Sequence, residues 1–275
     1  MRKIISMVAV VTATVLWAEP QATVVSAVAV DGGTALSVSY TLTEDAIVTL
    51  SVATNADGAA FLADGQVTAL SGDVNCRVSG TSGGVRRQLR WDCARDDVSL
   101  PETGVSVVLT AWRLDQPPNV MTFTPAGRQT RFYTSVEALP GGLADVSYRS
   151  TTVVMRKIPA KGIRFLRGAS ETDSYTRENE NAVDVTLTND YYICIYPITV
   201  SQYFNWTGVT SWSGNAQYFE PKTIGETPVC GVSYDMLRGT DVNWPTTGHT
   251  VSATSLIGML RERTGLLGLD LPTDR

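Results

Sequence analysis

The chain has 275 residues, with 22 Lys+Arg against 27 Asp+Glu and one histidine, giving a formal charge of −5; 43% of it is apolar and 18% charged. That length holds two ordinary domains, and a charged fraction below the usual ~25%, with 23 Gly and 12 Pro, fits neither a charge-driven disordered chain nor a low-complexity one. The acidic balance offers no basic footprint for nucleic acid, and the single histidine, His249, leaves no multi-histidine metal site.

Arg2 and Lys3 precede a largely apolar run of 14 residues at 4–17, closed by Ala18. This pattern predicts a secretory signal, residues 1–18, with the mature chain starting at Glu19. As a helix the run covers only ~21 Å, short of the ~30 Å hydrocarbon core. No later segment reaches spanning length, so an exported protein, extracellular or periplasmic, is expected, with no membrane span after signal removal.

From 23 to 112 the period is two. Leu36, Val38, Tyr40 and Leu42 alternate with small or polar residues, as do Val48, Leu50 and Val52, and later Val105, Val107, Leu109 and Ala111. These read as half-buried strands separated by Thr43-Glu44-Asp45 and Asn55-Ala56-Asp57-Gly58. The spacing predicts a β-sandwich of immunoglobulin or fibronectin-III type over 19–125, with Trp91 and Trp112 as core anchors. Of the three ways to pair four cysteines in an exported chain, pairing within halves is the simplest. A Cys76–Cys93 bridge would contribute ~3 kcal/mol on the chain-entropy model; the alternative is buried thiols. Cys194 and Cys230 are a second bridge or buried thiols.

Asp115-Gln116-Pro117-Pro118-Asn119 stops strand continuation, and 126–150, with Pro140-Gly141-Gly142, reads as a linker. The remainder, 151–275, is α+β. Arg164 to Gly168 is extended, 169–181 a polar loop, and Val183 to Leu187 and Tyr191 to Ile198 strand-like. Thr199 and Gln202 have the spacing of a capping box, which starts a helix at Val200. Ser233 caps another from Tyr234. Ser252 or Thr254 caps a third, which shares Leu256, Ile257 and Leu260 on one face and ends at Gly265. Nothing after it reads as a closing strand, so this domain is expected to be incomplete.

Taken in order, five elements resemble the formylglycine-generating enzyme family, the sulfatase-modifying factors. They are Phe165-Leu166-Arg167-Gly168; Tyr191-Tyr192-Ile193 with Tyr196-Pro197-Ile198-Thr199; Gln202-Tyr203; Pro228-Val229 through Val232-Ser233-Tyr234; and Leu271-Pro272-Thr273-Asp274. The likeness covers 158–275 and implies an incomplete domain of C-type-lectin-like fold behind the sandwich. A complete family domain oxidises a sulfatase cysteine to formylglycine with copper on a downstream cysteine pair, and binds calcium through residues that also lie mainly downstream. Position 167 is Arg where the family usually has Met, and Asp274 stands for its usual Glu. No copper, calcium or other cofactor is therefore expected in this chain, and no catalytic residue is carried over.

Two thiols of one domain can hold copper(I), a role open in principle to Cys194 and Cys230. Their strand and packing contexts favour core thiols or a structural bridge. His249 reads as a solvated surface residue, and Asn205-Trp206-Thr207 has the form of a glycosylation acceptor. Trp206, Trp212, Tyr218 and Phe219 can stack on a glycan or pack a peptide; the competing role is anchoring irregular loops. Two functions follow. One is an exported family member inactive as given; the other is a non-catalytic peptide- or glycan-binding adhesion protein on the same fold.

Overall fold

In β2 (Ala35–Leu42) the side chains of Leu36, Val38, Tyr40 and Leu42 are buried while those between them are partly exposed, as expected of a strand with one face on a core. The computed structural model that establishes this describes residues 19–54, 60–81, 84–101, 104–168, 182–208, 225–240 and 250–272; the leader at 1–18 and the loop at 169–181 lie outside them. β2 pairs antiparallel with β1 (Ala22–Val30) and with β6 (Arg87–Trp91), whose other edge takes β4 (Leu70–Gly72). A second sheet sets β3 (Ala46–Ala53) between β5 (Arg77–Val78) and β7 (Ser106–Trp112). Leu36, Val38, Tyr40, Leu89 and Trp91 of the first sheet and Val48, Leu50, Val52 and Val107 of the second form one core.

The alternation in β3 predicts one solvated face, and here the structure differs. Ile47 and Thr49 are buried as well. The Trp112 indole donates to Thr49 Oγ1 at 2.8 Å, and Leu62, Tyr133, Thr134 and Ala138 gather around Thr49 and Ser51. Trp112 is thus only half-buried. Trp91 is fully buried, and its indole donates to Asp96 Oδ2 at 2.7 Å. The same carboxylate accepts from Thr68 N–H (2.7 Å), Ala69 N–H (2.9 Å) and the Thr68 hydroxyl (2.6 Å).

The expected linker at 126–150 is not a connector alone. β8 (Val120–Thr124) and β9 (Gln129–Tyr133) form a hairpin, and β8 also pairs with β10 (Val153–Ile158). β13 (Tyr191–Cys194) completes the order β13-β10-β8-β9. The prolines at 117 and 118 end one sheet and the chain re-enters another at once, so β8, placed by sequence in the first unit, belongs to the sheet of the second. Both faces of that sheet are covered. Met121, Phe123, Val153 and Met155 pack with Tyr203, Trp206, Leu256 and Leu260 on one side, and Val120, Tyr133 and Val154 with Leu139 and Tyr148 on the other.

β11 (Arg164–Arg167) and β12 (Val183–Thr186) pair as a separate ribbon. Among the described residues the α-helices are α1 (Ser147–Ser150), α2 (Val200–Thr207), α3 (Tyr234–Arg238) and α4 (Leu256–Thr264). α2 and α3 start where their caps predict, but the cap of α4 is Ser255, whose Oγ accepts from Gly258 N–H at 3.1 Å. Ser252 and Thr254 are engaged with each other at 3.0 Å, and Ser252 O receives the Ser255 hydroxyl. A Cβ at Gly258 would lie 2.0 Å from Ser252 O, so only glycine lets the helix start this close to the incoming chain. Among the described residues the protein is mostly β, in four antiparallel sheets with few helices. Among the described residues no helix is long and apolar enough to cross a membrane.

Burial acts to raise the pKa of Asp96, but the hydrogen bonds from Ala69, Thr68 and Trp91 outweigh it and hold the carboxyl below its ordinary range. The ionised group therefore contributes stability above that range, and the contribution disappears as pH falls through the lowered value. Asp96→Ala should cost about 1–3 kcal/mol near neutral pH by stranding these donors. Urea unfolding at several pH values checks it: the gap between parent and variant should close on the acid side.

Candidate functional site

The capping box read from sequence ties α2 to α1. Thr199 Oγ1 accepts from Gln202 N–H and Gln202 Oε1 from Thr199 N–H, both at 3.1 Å. The remaining polar atoms of these side chains turn toward the end of α1, whose last carbonyls have no partner within so short a helix. Gln202 Nε2 donates to Tyr148 O (3.2 Å) and Thr152 O (2.8 Å). The Thr199 hydroxyl donates to Arg149 O (2.6 Å), Asn205 Nδ2 to Ser150 O (2.9 Å) and the Trp206 indole to Thr151 O (3.3 Å). Five successive carbonyls, 148 to 152, are thus each met by a side chain from the start or body of α2. Trp206 is only 3% exposed and lies in the core below the third sheet. Its expected place among binding aromatics is corrected: its ring is packed and its one polar atom is occupied. Asn205 is exposed, but its Nδ2, the atom a glycan would take, holds Ser150. Trp212, Tyr218, Phe219 and His249 lie outside the described residues.

A charged cluster that sequence reading missed closes the other end. Arg238 of α3 is fully buried, with its Nη1 3.3 Å from Asp270 Oδ1. Arg261 of α4 reaches Asp270 Oδ2 at 3.0 Å and Leu269 O at 2.7 Å. Arg261 stands in the last turn of α4, and its partner is the segment just before Leu271-Pro272. One carboxylate holding one fully buried and one largely buried guanidinium group is a fastening between elements, since removing one partner of a buried pair typically costs ~3–5 kcal/mol.

All four cysteines are free thiols. Cys93 Sγ donates to Gly33 O at 3.5 Å, and Ala94 N–H bonds Thr34 O. Cys76 follows Asp73, whose N–H bonds Gln88 O. The two thiols flank opposite ends of β6, separated by roughly 16 Å of strand, against the ~4.4–6.8 Å between Cα atoms of a disulfide. The expected bridge is not formed. Burial pushes the pKa values of Cys76, Cys93 and Cys194 up. Cys194 stands opposite Met155 in the third sheet and packs into its core. Cys230, expected to be buried or bridged, is exposed, because the Pro228-Val229 segment meets the rest through Thr199 and Ile198 and leaves the next residue in solvent. Among the described residues no group of three His, Cys, Asp or Glu side chains can hold a metal ion.

The third sheet also walls a cleft of about 310 Å³. Thr122, Thr124, Gln129, Arg131 and Tyr133 line its floor, Pro140, Gly141, Asp145, Ser147, Tyr148 and Thr152 one wall, and Arg95 its rim. The register explains the floor. Thr122 faces Arg131 and Thr124 faces Gln129 across the β8–β9 hairpin, while Met121 and Phe123 point into the core on the other side. The signal was present in the alternation of Val120-Met121-Thr122-Phe123-Thr124 and hidden by the assignment of 126–150 to a linker.

No family model matches the chain, nor does any curated protein or solved structure.

Native alkylation with iodoacetamide should modify Cys230 first. Cys76, Cys93 and Cys194, buried or half-buried with thiolates disfavoured, should react only on unfolding. Peptide mapping by mass spectrometry decides it; a Cys76–Cys93 linked peptide would contradict the register argument.

Proposed function

We propose that the chain is an exported binding protein, in which an immunoglobulin- or fibronectin-III-like β-sandwich carries a formylglycine-generating-enzyme-like segment, of C-type-lectin-like fold, that holds a peptide or glycan. The observation that carries this reading is the work of the resembling residues. Thr199 and Gln202 are both engaged with the carbonyls of 148–152, so this part of the family-like pattern is framework rather than reaction centre. Export rests on the charged and apolar leader at 1–18.

The oxidising alternative, an exported member of the formylglycine-generating family, draws on the order of its motifs and on exposed Cys230. It needs a second reactive thiol close by. Cys194 is the other cysteine of this half, and burial opposes its thiolate. Copper and calcium belong to a complete family domain, and no residue of this chain is assigned to either.

Incubating the purified chain with copper, oxygen, a reductant and a Cys-x-Pro-x-Arg peptide should give no aldehyde by mass spectrometry. Turnover that disappears in Cys194→Ser or Cys230→Ser would overturn the binding reading in favour of the enzyme.

A further inference from the structure

The cleft over β8 and β9 is lined by two arginines, Arg131 and Arg95, neither paired with an acid among the described residues. Arg131 places one N–H on Val74 O at 3.1 Å, and among the described residues neither it nor Arg95 is in an ion pair. Asp145, the one acid among the lining residues, is engaged by the Ser147 N–H at 2.8 Å and by the Ser147 hydroxyl. The remaining lining groups are neutral and hydroxyl-rich. Thr124 and Thr152 share a hydrogen bond at 2.9 Å, in which one proton is used and the other hydroxyl proton stays available. Gln129 is exposed and offers both a donor and an acceptor.

A half-buried guanidinium is the side chain best suited to a planar carboxylate, which it takes through two parallel hydrogen bonds. Groups that both donate and accept suit sugar hydroxyls, whereas a phosphate would call for donors alone. The volume, at the lower end of ligand clefts at ~300–1,000 Å³, suits one ring. We propose that this cleft binds a uronic acid, its carboxylate on Arg131 and Arg95 and its ring hydroxyls on Thr124, Thr152 and Gln129. A free sugar acid and a uronate residue of an acidic glycan present the same chemistry. The proposal deepens the binding reading and rests on it for the class of function only, because all the lining residues lie outside 158–275, the stretch that resembles the enzyme family.

Isothermal titration of the full exported chain with D-galacturonate, D-galactose, inorganic phosphate and trigalacturonate tests the assignment. Galacturonate should bind, and galactose at least ~10-fold more weakly, the loss expected for one charge-assisted contact. Arg131→Gln should lose a similar factor. Arg95→Glu, at an exposed position whose side chain holds nothing else, should weaken binding several-fold without moving the unfolding midpoint, which keeps the test valid if Arg131→Gln folds poorly. Trimer tighter than monomer makes the source an acidic glycan, and equal affinity makes it the free acid; either supports the site. Absence of binding by both uronates, galactose or phosphate binding as tightly as galacturonate, or parent affinity in both variants would overturn it. A chain that takes the Cys-x-Pro-x-Arg peptide but neither uronate overturns the cleft and leaves the binding reading; one that makes the aldehyde while binding galacturonate does the reverse.

Discussion

Five successive carbonyl groups, three at the end of a four-residue helix and two just after it, set the main constraint on the second half of this protein. So short a helix cannot satisfy them itself, and burying them unpaired would cost ~1–3 kcal/mol each. α2 and its cap meet them with four side chains: Thr199, Asn205 and Trp206 take one carbonyl each, at 149, 150 and 151, and Gln202 takes 148 and 152. Gln202 does most, since one amide both completes the cap of its own helix and spans Tyr148 and Thr152. With α2 fixed in this way, Tyr203 and Trp206 are presented to Met121, Phe123, Val153 and Met155, and α4 closes the same core through Leu256 and Leu260.

The third sheet carries the consequences in both directions. Its α2-facing side is apolar. Its other side is apolar only at Val120, Tyr133 and Val154, and becomes polar toward Thr122, Thr124 and Arg131, where the cleft opens. β9 in turn reaches the first core: Phe132 N–H bonds Asn75 O, Arg131 bonds Val74 O, and the hydroxyls of Thr134 and Ser135 both donate to Asp64. The polar cleft therefore lies where the two halves meet, with Arg95 from one and Arg131 from the other.

Much of this was legible in local pattern. The alternation in β2 and β7, the capping box at Thr199 and Gln202, the Ser233 cap and the Gly265 stop depend on neighbouring residues only, and each is found where its spacing places it. What was not legible depends on distant partners. β8 carries the same alternation as the strands before it, and only pairing with β10 assigns it to the third sheet. Arg261 reads as a helix-end charge until Asp270 folds back onto it. Trp206 looks like a binding aromatic until Thr151 is seen to accept from its indole. A bridge between Cys76 and Cys93 follows from compartment and count, whereas the register of β6 keeps them apart. Asp96 showed too little locally, because only Trp91 lies near it in the chain and its other three donors come from the distant Thr68 and Ala69.

The claim that the α2 side chains hold the second half together is tested most directly by Gln202→Leu, which keeps the volume and removes the amide. Hydrogen exchange followed along the chain is the measurement. The account predicts that amides of β8, β10 and α2 lose protection together while those of β2 and β6 keep theirs. It also predicts a loss of about 2–5 kcal/mol for the second half as two buried carbonyls and a cap go unpaired. Parent-like protection of β8 and β10 in the variant would contradict it.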